Sequence, residues 1–425
     1  MKPRKAAVIF ILVTVTLDML ALGLIAPVLP KLVLDFVGGE TANAAKWFGI
    51  FGTVFALMQF FGSPVIGVLS DRFGRRPIIL LSNLGLGLDY IVMALAPTLG
   101  WLFVGRMISG ITAASISTAT AYISDVVEPE KRAAAFGTIG AAFGVGFILG
   151  PALGGLLGNS DPRLPFWVAA GLSLANATYG YLVVPESLAP ERRRAFSFRR
   201  ANPVGSLILL RSHPELFRLA TIQFIGYVAH EVFEVWALYT IYRYAWREGM
   251  IGLSLAVAGA CAVVISAGLV RPLVSRLGER RTLYLGQLFG ALGLLFAGVA
   301  RNGKLYLSSI PVMMLWTISG PAAQGMMTRR VSPTEQGELQ GAISALRSVA
   351  IVIGPALFTF TFAFFINEKR GLDVPGAPWF LGAMLLVGAM ILALRVPKVG
   401  PGREAAEAPI PNPATLLSPA APPEQ

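Results

Sequence analysis

Long runs of apolar residues that charge scarcely enters make up most of this chain, and they limit it to very few folds. Trp47–Leu69 carries no charged side chain, and Ile78–Val104 carries only Asp89. About 20 apolar residues cross the roughly 30 Å hydrocarbon core of a bilayer as a helix. Helices suit that setting because a backbone in lipid has to satisfy its own hydrogen bonds. Such runs recur at 6–29, 47–69, 78–96, 99–123, 134–157 and 164–184. A second series follows at 217–241, 250–272, 282–299, 305–327, 339–365 and 377–396. The expected fold is all-α and integral to a membrane, with twelve transmembrane helices in two six-helix bundles.

Composition removes the alternatives. Charged residues make up 14% and mean hydropathy is +0.67, whereas about a quarter of the residues of a soluble domain are charged. The single cysteine, Cys261, lies inside an apolar run, so no disulfide framework or metal cluster forms within one chain. Met1–Arg4 leads straight into a full-length apolar run with no small-residue cleavage site, which reads as a first span and not as a signal peptide. There is no GKS or GKT phosphate loop, no pairing of histidine with a nucleophile, and no extramembrane stretch large enough for ATP hydrolysis. An enzyme is not expected, and neither is ATP as a direct driving force.

The net charge of +12 would suit a nucleic-acid partner, but the positions of the basic residues favour topology. They concentrate in alternate loops: Lys2, Arg4 and Lys5, then Arg72, Arg75 and Arg76, Lys131 and Arg132, the connection after residue 184, Arg271–Arg281, and Arg329 with Arg330. Cytosolic loops carry the excess of Lys and Arg, so both termini are expected in the cytosol of a plasma, or bacterial inner, membrane. Trp47, Trp101, Trp167, Trp246 and Trp379 fall at the opposite ends of their runs, where an interfacial aromatic belt is expected. The chain divides into an N-terminal bundle (1–184), a basic cytosolic linker (185–216), a C-terminal bundle (217–398) and a Pro- and Ala-rich disordered tail (399–425). Arg192, Arg193, Arg194, Arg199 and Arg200 in the linker would each gain about 1 kcal/mol beside anionic lipid. Lipid explains them better than nucleic acid does.

Gly67–Pro77 reads GVLSDRFGRRP, a charged turn between two apolar runs. Its acid Asp71 and its arginines Arg72, Arg75 and Arg76 suit a cytosolic gate that begins at Gly67, with Gly74 and Pro77 at turn positions. Plain topology is the competing explanation, because any cytosolic loop attracts arginine. An imperfect repeat lies at Arg271–Arg281, RPLVSRLGERR. Aligning Gly278 on Gly74 places Arg280 on Arg76, but Ser275 stands where Asp71 does. Parallel repeats with a site at their interface near the midplane organise many secondary transporters.

These motifs make the chain similar to the major facilitator superfamily, and within it to the tetracycline/proton antiporter family. LDMLALGLIAPVLPKL contributes Asp18, LDYIVMALAP contributes Asp89 and GRMISGIT contributes Arg106. GVGFILGPALGG contributes Gly146, Gly150, Pro151, Gly154 and Gly155, the motif associated with antiporters, and GPAAQG and GELQGAISAL fit the second half. The resemblance implies a proton-coupled antiporter that exports tetracycline-like or other amphipathic drugs by alternating access. It also implies that Asp71 meets the start of span eleven near Glu338, and that Asp125 meets a loop arginine. Asp18, Asp89 and Arg106 would bind substrate or set the charge of the cavity. No cofactor is implied. The proton is the coupling ion, the substrate travels as a divalent-metal chelate, and the partners are a small-molecule substrate, protons and membrane lipids around a monomer. A proton-coupled or facilitative transporter of an endogenous metabolite is the alternative.

Charges inside spans are costly and mark ion or substrate paths. Burial favours a neutral carboxyl and a nearby guanidinium favours a charged one, so movement of Asp18 or Asp89 relative to Arg106 would switch proton occupancy. A static buried pair is the other reading. The second half departs from the family. Span nine, TLYLGQLFGALGLLF, carries Gly290 where relatives carry an acid, and span eight, LSLAVAGACAVV, has no histidine. Span seven, YVAHEVFEVWALY, instead brings His230, Glu231 and Glu234 close to mid-helix. Residues three and four apart share a helix face, so these three are candidates for proton coupling. Pairing of an acid with His230 or Arg243 is the competing role. Gln59, Gln223, Tyr227 and Gln324 complete the substrate-binding candidates, although helix packing uses such residues too.

Overall fold

A computed structural model describes residues 3–113, 115–128, 131–193, 210, 214–332 and 335–396. Most of the basic linker and all of the tail from 397 onward lie outside the described residues. The first series comprises α1 (Pro3–Ile25), α2 (Leu29–Phe36), α3 (Thr41–Phe73), α4 (Arg75–Leu95), α5 (Leu99–Thr112), α6 (Ser115–Val126), α7 (Arg132–Gly158) and α8 (Leu164–Val183). The second comprises α9 (Pro214–His230), α10 (Trp236–Tyr244), α11 (Glu248–Gly268), α12 (Val270–Leu277) and α13 (Glu279–Val299), then α14 (Gly303–Met314), α15 (Ser319–Thr328), α16 (Gln336–Phe365) and α17 (Ala377–Leu394). Among the described residues there is no strand. Helix covers most of every expected apolar run, and among the described residues 8 helices are long and apolar enough to cross a membrane.

Several of the expected runs are broken; that at 250–272, for example, turns at Leu269 between α11 and α12. The run at 305–327 passes through a tight 3-10 turn at Leu315–Ile318. Pro321 has no N–H for the carbonyl of residue 317 and its ring crowds that carbonyl, which favours the break, although α3, α7, α14 and α16 run through prolines of their own. The run at 99–123 breaks between α5 and α6. The run at 217–241 is a correction to the expectation of one continuous α-helix, because Glu231–Val235 is a 3-10 turn joining α9 to α10. Val232, Phe233 and Val235 lose side-chain freedom in an α-helix, and the turn is held by packing on α16, where Gly354 leaves room for the Cβ and Cγ of Glu231.

Within the first series α1 packs on α7 and α4 on α8; within the second, α13 and α9 pack on α17. The two series meet along α3 against α16 and α7 against α11. Glycines make these approaches close. A Cβ at Gly150 would lie 2.7 Å from Gly23 Cα, one at Gly146 2.6 Å from Met19 Cβ, and one at Gly155 3.0 Å from Gly252 Cα. Gly154 lies against the Leu24 backbone, and a Cβ at Gly52 would lie 2.8 Å from Pro355 Cβ. Pro151 sits inside α7 and its carbonyl lies against Gly252. Toward the basic end the picture reverses: a Cβ at Gly67, Gly137, Gly140, Gly268 or Gly337 would meet nothing within 4 Å. The two series therefore pack closely at the end away from the arginine loops, and we take the space between them, beside the 62%-exposed His230 side chain, as a central cleft.

Trp379 is a second correction. It is fully buried, with ring centroids 5.5 Å from Tyr239, 5.8 Å from Tyr306 and 6.0 Å from Trp236. It belongs to an aromatic core, not to an interfacial belt, because α17 turns that side toward α10 and α14. Trp101 and Trp167 are exposed, as lipid-facing residues would be.

Candidate functional site

The cleft is walled on one side by α1, α3, α4 and α5. Asp18 on α1 is buried and accepts from Asn176 Nδ2 at 3.2 Å. The same amide donates to the Thr14 carbonyl at 3.3 Å and accepts from the Thr14 hydroxyl at 3.1 Å. Asn176 thus fixes the turn of α1 that carries the acid. Asp89 on α4 is buried, and Ser109 Oγ donates to its Oδ2, while its Oδ1 is buried without a partner. Gly105 makes space for this carboxylate, since a Cβ there would lie 3.1 Å from Oδ1. Arg106, one residue on, is buried with its guanidinium 4.2 Å from the centroid of the Phe55 ring of α3. Asp18 and Asp89 are both electrostatic neighbours of the buried Tyr90, so the three charged residues of this wall form one cluster.

The facing wall is the broken span. In a 3-10 turn side chains three apart eclipse, so Glu231 and Glu234 project to one side. Glu231 Oε1 lies 3.8 Å from His230 Nδ1, and Glu234 is an electrostatic neighbour of Glu231, Arg106 and His230. The rings of His230, Phe233 and Trp316 group beside the acids, with centroids 5.0 Å apart for His230 and Phe233 and 6.0 Å for His230 and Trp316. The His230 side chain is 62% exposed and that of Glu231 12%, so the imidazole is the more open of the two.

Gly290 explains the missing acid of α13 in steric terms. A Cβ there would lie 2.8 Å from Leu386 and 2.9 Å from Trp316. Trp316 thus occupies the space an acid would need and turns its ring edge toward Gly226 and Gln287. Gln223, about two helical turns before Glu231, is buried and donates at 3.2 Å to Oη of Tyr227, which lies about one turn before Glu231. Gln59 is half-buried on α3. Gln324 is exposed toward the basic end and donates to Gln340 at 3.3 Å, apart from the other candidates.

At the basic end Gly74 adopts φ 108° and caps α4, a conformation that favours glycine. Arg75 reaches Asp71 at 2.7 Å and Asp125 at 3.2 Å, so the pairing of Asp125 with a loop arginine is present. Among the described residues the contact of Asp71 with the start of span eleven is not seen: Asp71 pairs within its own loop and Glu338 is exposed. Arg72 is exposed over Phe73. The repeat is legible in the backbone. Gly278 has φ 77° and caps α13, Arg76 donates to the Tyr181 carbonyl at 2.6 Å, and Arg280 donates to the Leu394 carbonyl. Each arginine thus ties the start of one helix to the end of the last helix in its series. Glu186 was not foreseen. Its Oε1 accepts from the backbone N–H groups of Arg75 at 2.8 Å, Ser187 at 3.0 Å and Leu188 at 3.0 Å. Its signal in the sequence was an acid directly after span six, with a helix start 111 residues earlier as its partner.

The sequence matches the Major Facilitator Superfamily over residues 11–355 and 244–421. It is 39% identical over 383 residues, 89% of this chain and 94% of the relative, to the Escherichia coli tetracycline resistance protein, class C. It is 29% identical over 362 residues, 83% of this chain and 88% of the relative, to multidrug resistance protein 2 of Bacillus subtilis (strain 168). Its fold is similar to the crystal structure of the nucleoside transporter NupG, with a TM-score of 0.75 at 12% identity over 94% of this chain and 100% of that one.

Proposed function

This chain belongs to the major facilitator superfamily, and we propose that it is a proton-coupled antiporter that exports tetracycline-like or other amphipathic drugs by alternating access. The carrying observation is the broken span: its 3-10 turn brings Glu231 and Glu234 to one side, with Glu234 an electrostatic neighbour of Arg106, while the position used by relatives, Gly290, is filled. In this reading the two glutamates take the role of the span nine acid. Protons reach them from one side of the membrane, and substrate arriving near the charged carboxylate displaces the proton to the other. Asp18, Asp89 and Arg106 hold the substrate from the facing wall, together with Gln59, Gln223, Tyr227 and Gln324.

With the arginine loops in the cytosol, the closed end faces outward and the open end is the entry for cytosolic drug. The loop Gly67–Pro77 then forms the cytosolic gate with Asp125, and Asp71 reaches span eleven only when that end closes. The packing of α7 on α1 and α11 through Gly146, Gly150, Pro151, Gly154 and Gly155 supports sliding of two rigid halves, 1–184 and 217–398, in twelve crossings.

A pH difference of one unit supplies about 1.4 kcal/mol per proton, roughly tenfold in substrate. Exchange of a monocationic tetracycline–metal chelate for one proton moves no net charge. Expressed in a pump-deficient host, the protein should lower tetracycline accumulation; nigericin, which removes the pH gradient, should abolish the effect, and valinomycin should leave it. Unchanged accumulation with and without the protein would defeat the reading and favour transport of an endogenous metabolite, for which the closed site at Gly290 is the supporting observation.

A further inference from the structure

A helix start leaves its first N–H groups without partners inside the helix, and at the outer end of the second series α14 and α11 meet this differently. α14 caps itself: the Asn302 side chain accepts from the Leu305 N–H at 3.0 Å. α11 does not, because its N-cap residue Arg247 makes no side-chain bond. The N–H groups of Met250 and Ile251 both turn to the Arg247 carbonyl, at 3.0 and 3.1 Å, and that of Gly249 goes to a residue of the other series. Asn159 Oδ1 accepts it at 2.9 Å. Asn159 is also where α7 ends, its own N–H donating to the Gly155 carbonyl at 3.1 Å. One residue therefore joins the negative end of α7 to the positive end of α11, the favourable order for two helix dipoles.

The surrounding packing holds that bond in one geometry. A Cβ at Gly249 would lie 3.1 Å from Asn159 Cγ and closer still to Nδ2. A Cβ at Gly158 would lie 3.2 Å from Glu248 Cβ and would run into Val28, and Glu248 is buried. Nearby the two series touch as glycine on backbone, at Gly155 and Gly252, and at Gly52 on Pro355. Such van der Waals contacts are individually weak and carry little direction, whereas a hydrogen bond tolerates only a narrow range of distance and angle. We propose that Asn159 caps α11 from the opposite half and is the latch of the outer end, made when that end is shut and broken each time it opens. Asn159 is exposed, so water takes over the Gly249 N–H on opening, and the latch shifts the balance of closed and open by what an N-cap contributes, roughly two- to thirtyfold. That biases the two states and locks neither. The latch rests on the alternating-access reading and adds to it a residue that sets the balance.

The test uses the full chain in lipid nanodiscs, with Cys261 replaced by serine and spin labels on cysteines replacing the exposed outer residues Asp161 and Lys304. Pulsed electron–electron distance measurement then gives the ratio of long to short separations across the outer end. Asn159→Ala, which removes the accepting oxygen, should raise that ratio roughly two- to thirtyfold. Gly249→Ala should raise it independently, because its methyl group displaces the Asn159 side chain. Asn159→Asp keeps an oxygen that caps a helix start as well as asparagine does, so it should stay within about twofold of the unmodified protein. Gly252→Leu, which wedges α7 from α11, marks the long separation. If Gly252→Leu yields that separation while Asn159→Ala leaves the ratio unchanged, the latch is overturned and alternating access stands. If Asn159→Asp opens the end as far as Asn159→Ala does, the cap is overturned likewise. If no form yields the long separation, Gly252→Leu included, alternating access fails and the latch with it.

Discussion

At the scale of single residues, two positions carry most of the consequence. Gly290 has no space for a side chain beside Leu386 and Trp316. Gly290→Asp should therefore destabilise the protein by about 1–3 kcal/mol through overpacking, seen as a lower unfolding temperature in detergent. Gly290→Asp combined with Trp316→Ala should recover much of the loss, and an unaltered unfolding temperature in the single variant would show that the site is open. Glu186 is the other. Removing its carboxylate leaves the N–H groups of Arg75, Ser187 and Leu188 without their acceptor, so Glu186→Ala should cost about 1–3 kcal/mol. Glu186→Gln, which retains one oxygen, should cost less, and equal losses would show that the oxygen contacts contribute nothing. Asp18, Asp89 and Arg106 stood out in the sequence because charge inside an apolar run is conspicuous. Phe55, Ser109 and Asn176, which position them, were hidden among residues of ordinary membrane-helix type.

At the scale of elements, the broken helices and the glycine faces matter most. The apolar runs were legible because charge is excluded over about 20 residues at a time. The 3-10 turn at Glu231–Val235 was not, because the local pattern still fits an α-helix and the turn depends on Gly354 of a distant helix. The burial of Trp379 was likewise decided by which side α17 turns inward, and apolar periodicity is weak in a helix that is hydrophobic all round. The approach of α7 to α11 at Gly155 and Gly252 leads to a prediction. Gly252→Leu should hold that end of the cleft apart and drive the basic end together. Spin labels on cysteines replacing Arg72 and Gly337 should then move closer than in the protein with Gly252. An unchanged distance would mean that these helices do not govern the opening.

At the scale of the whole molecule, two series of helices meet at one end, part at the other, and enclose opposite charges at the centre. The pseudo-repeat predicted from Gly74 and Gly278 recurs in the arginine ties of Arg76 and Arg280. The asymmetry lies between the Glu231 and Glu234 pair of the second half and the Asp18, Asp89 and Arg106 cluster of the first. The central claim is that Glu231 and Glu234 carry the coupling proton in place of the absent span nine acid. The most direct measurement is the release of protons when tetracycline with magnesium is added to the purified protein in weakly buffered detergent, followed with a pH indicator. The protein should release protons on binding, Glu231→Gln and Glu234→Gln should each reduce the release, and the double variant should abolish it. Undiminished release from the double variant, with tetracycline still bound, would contradict the account.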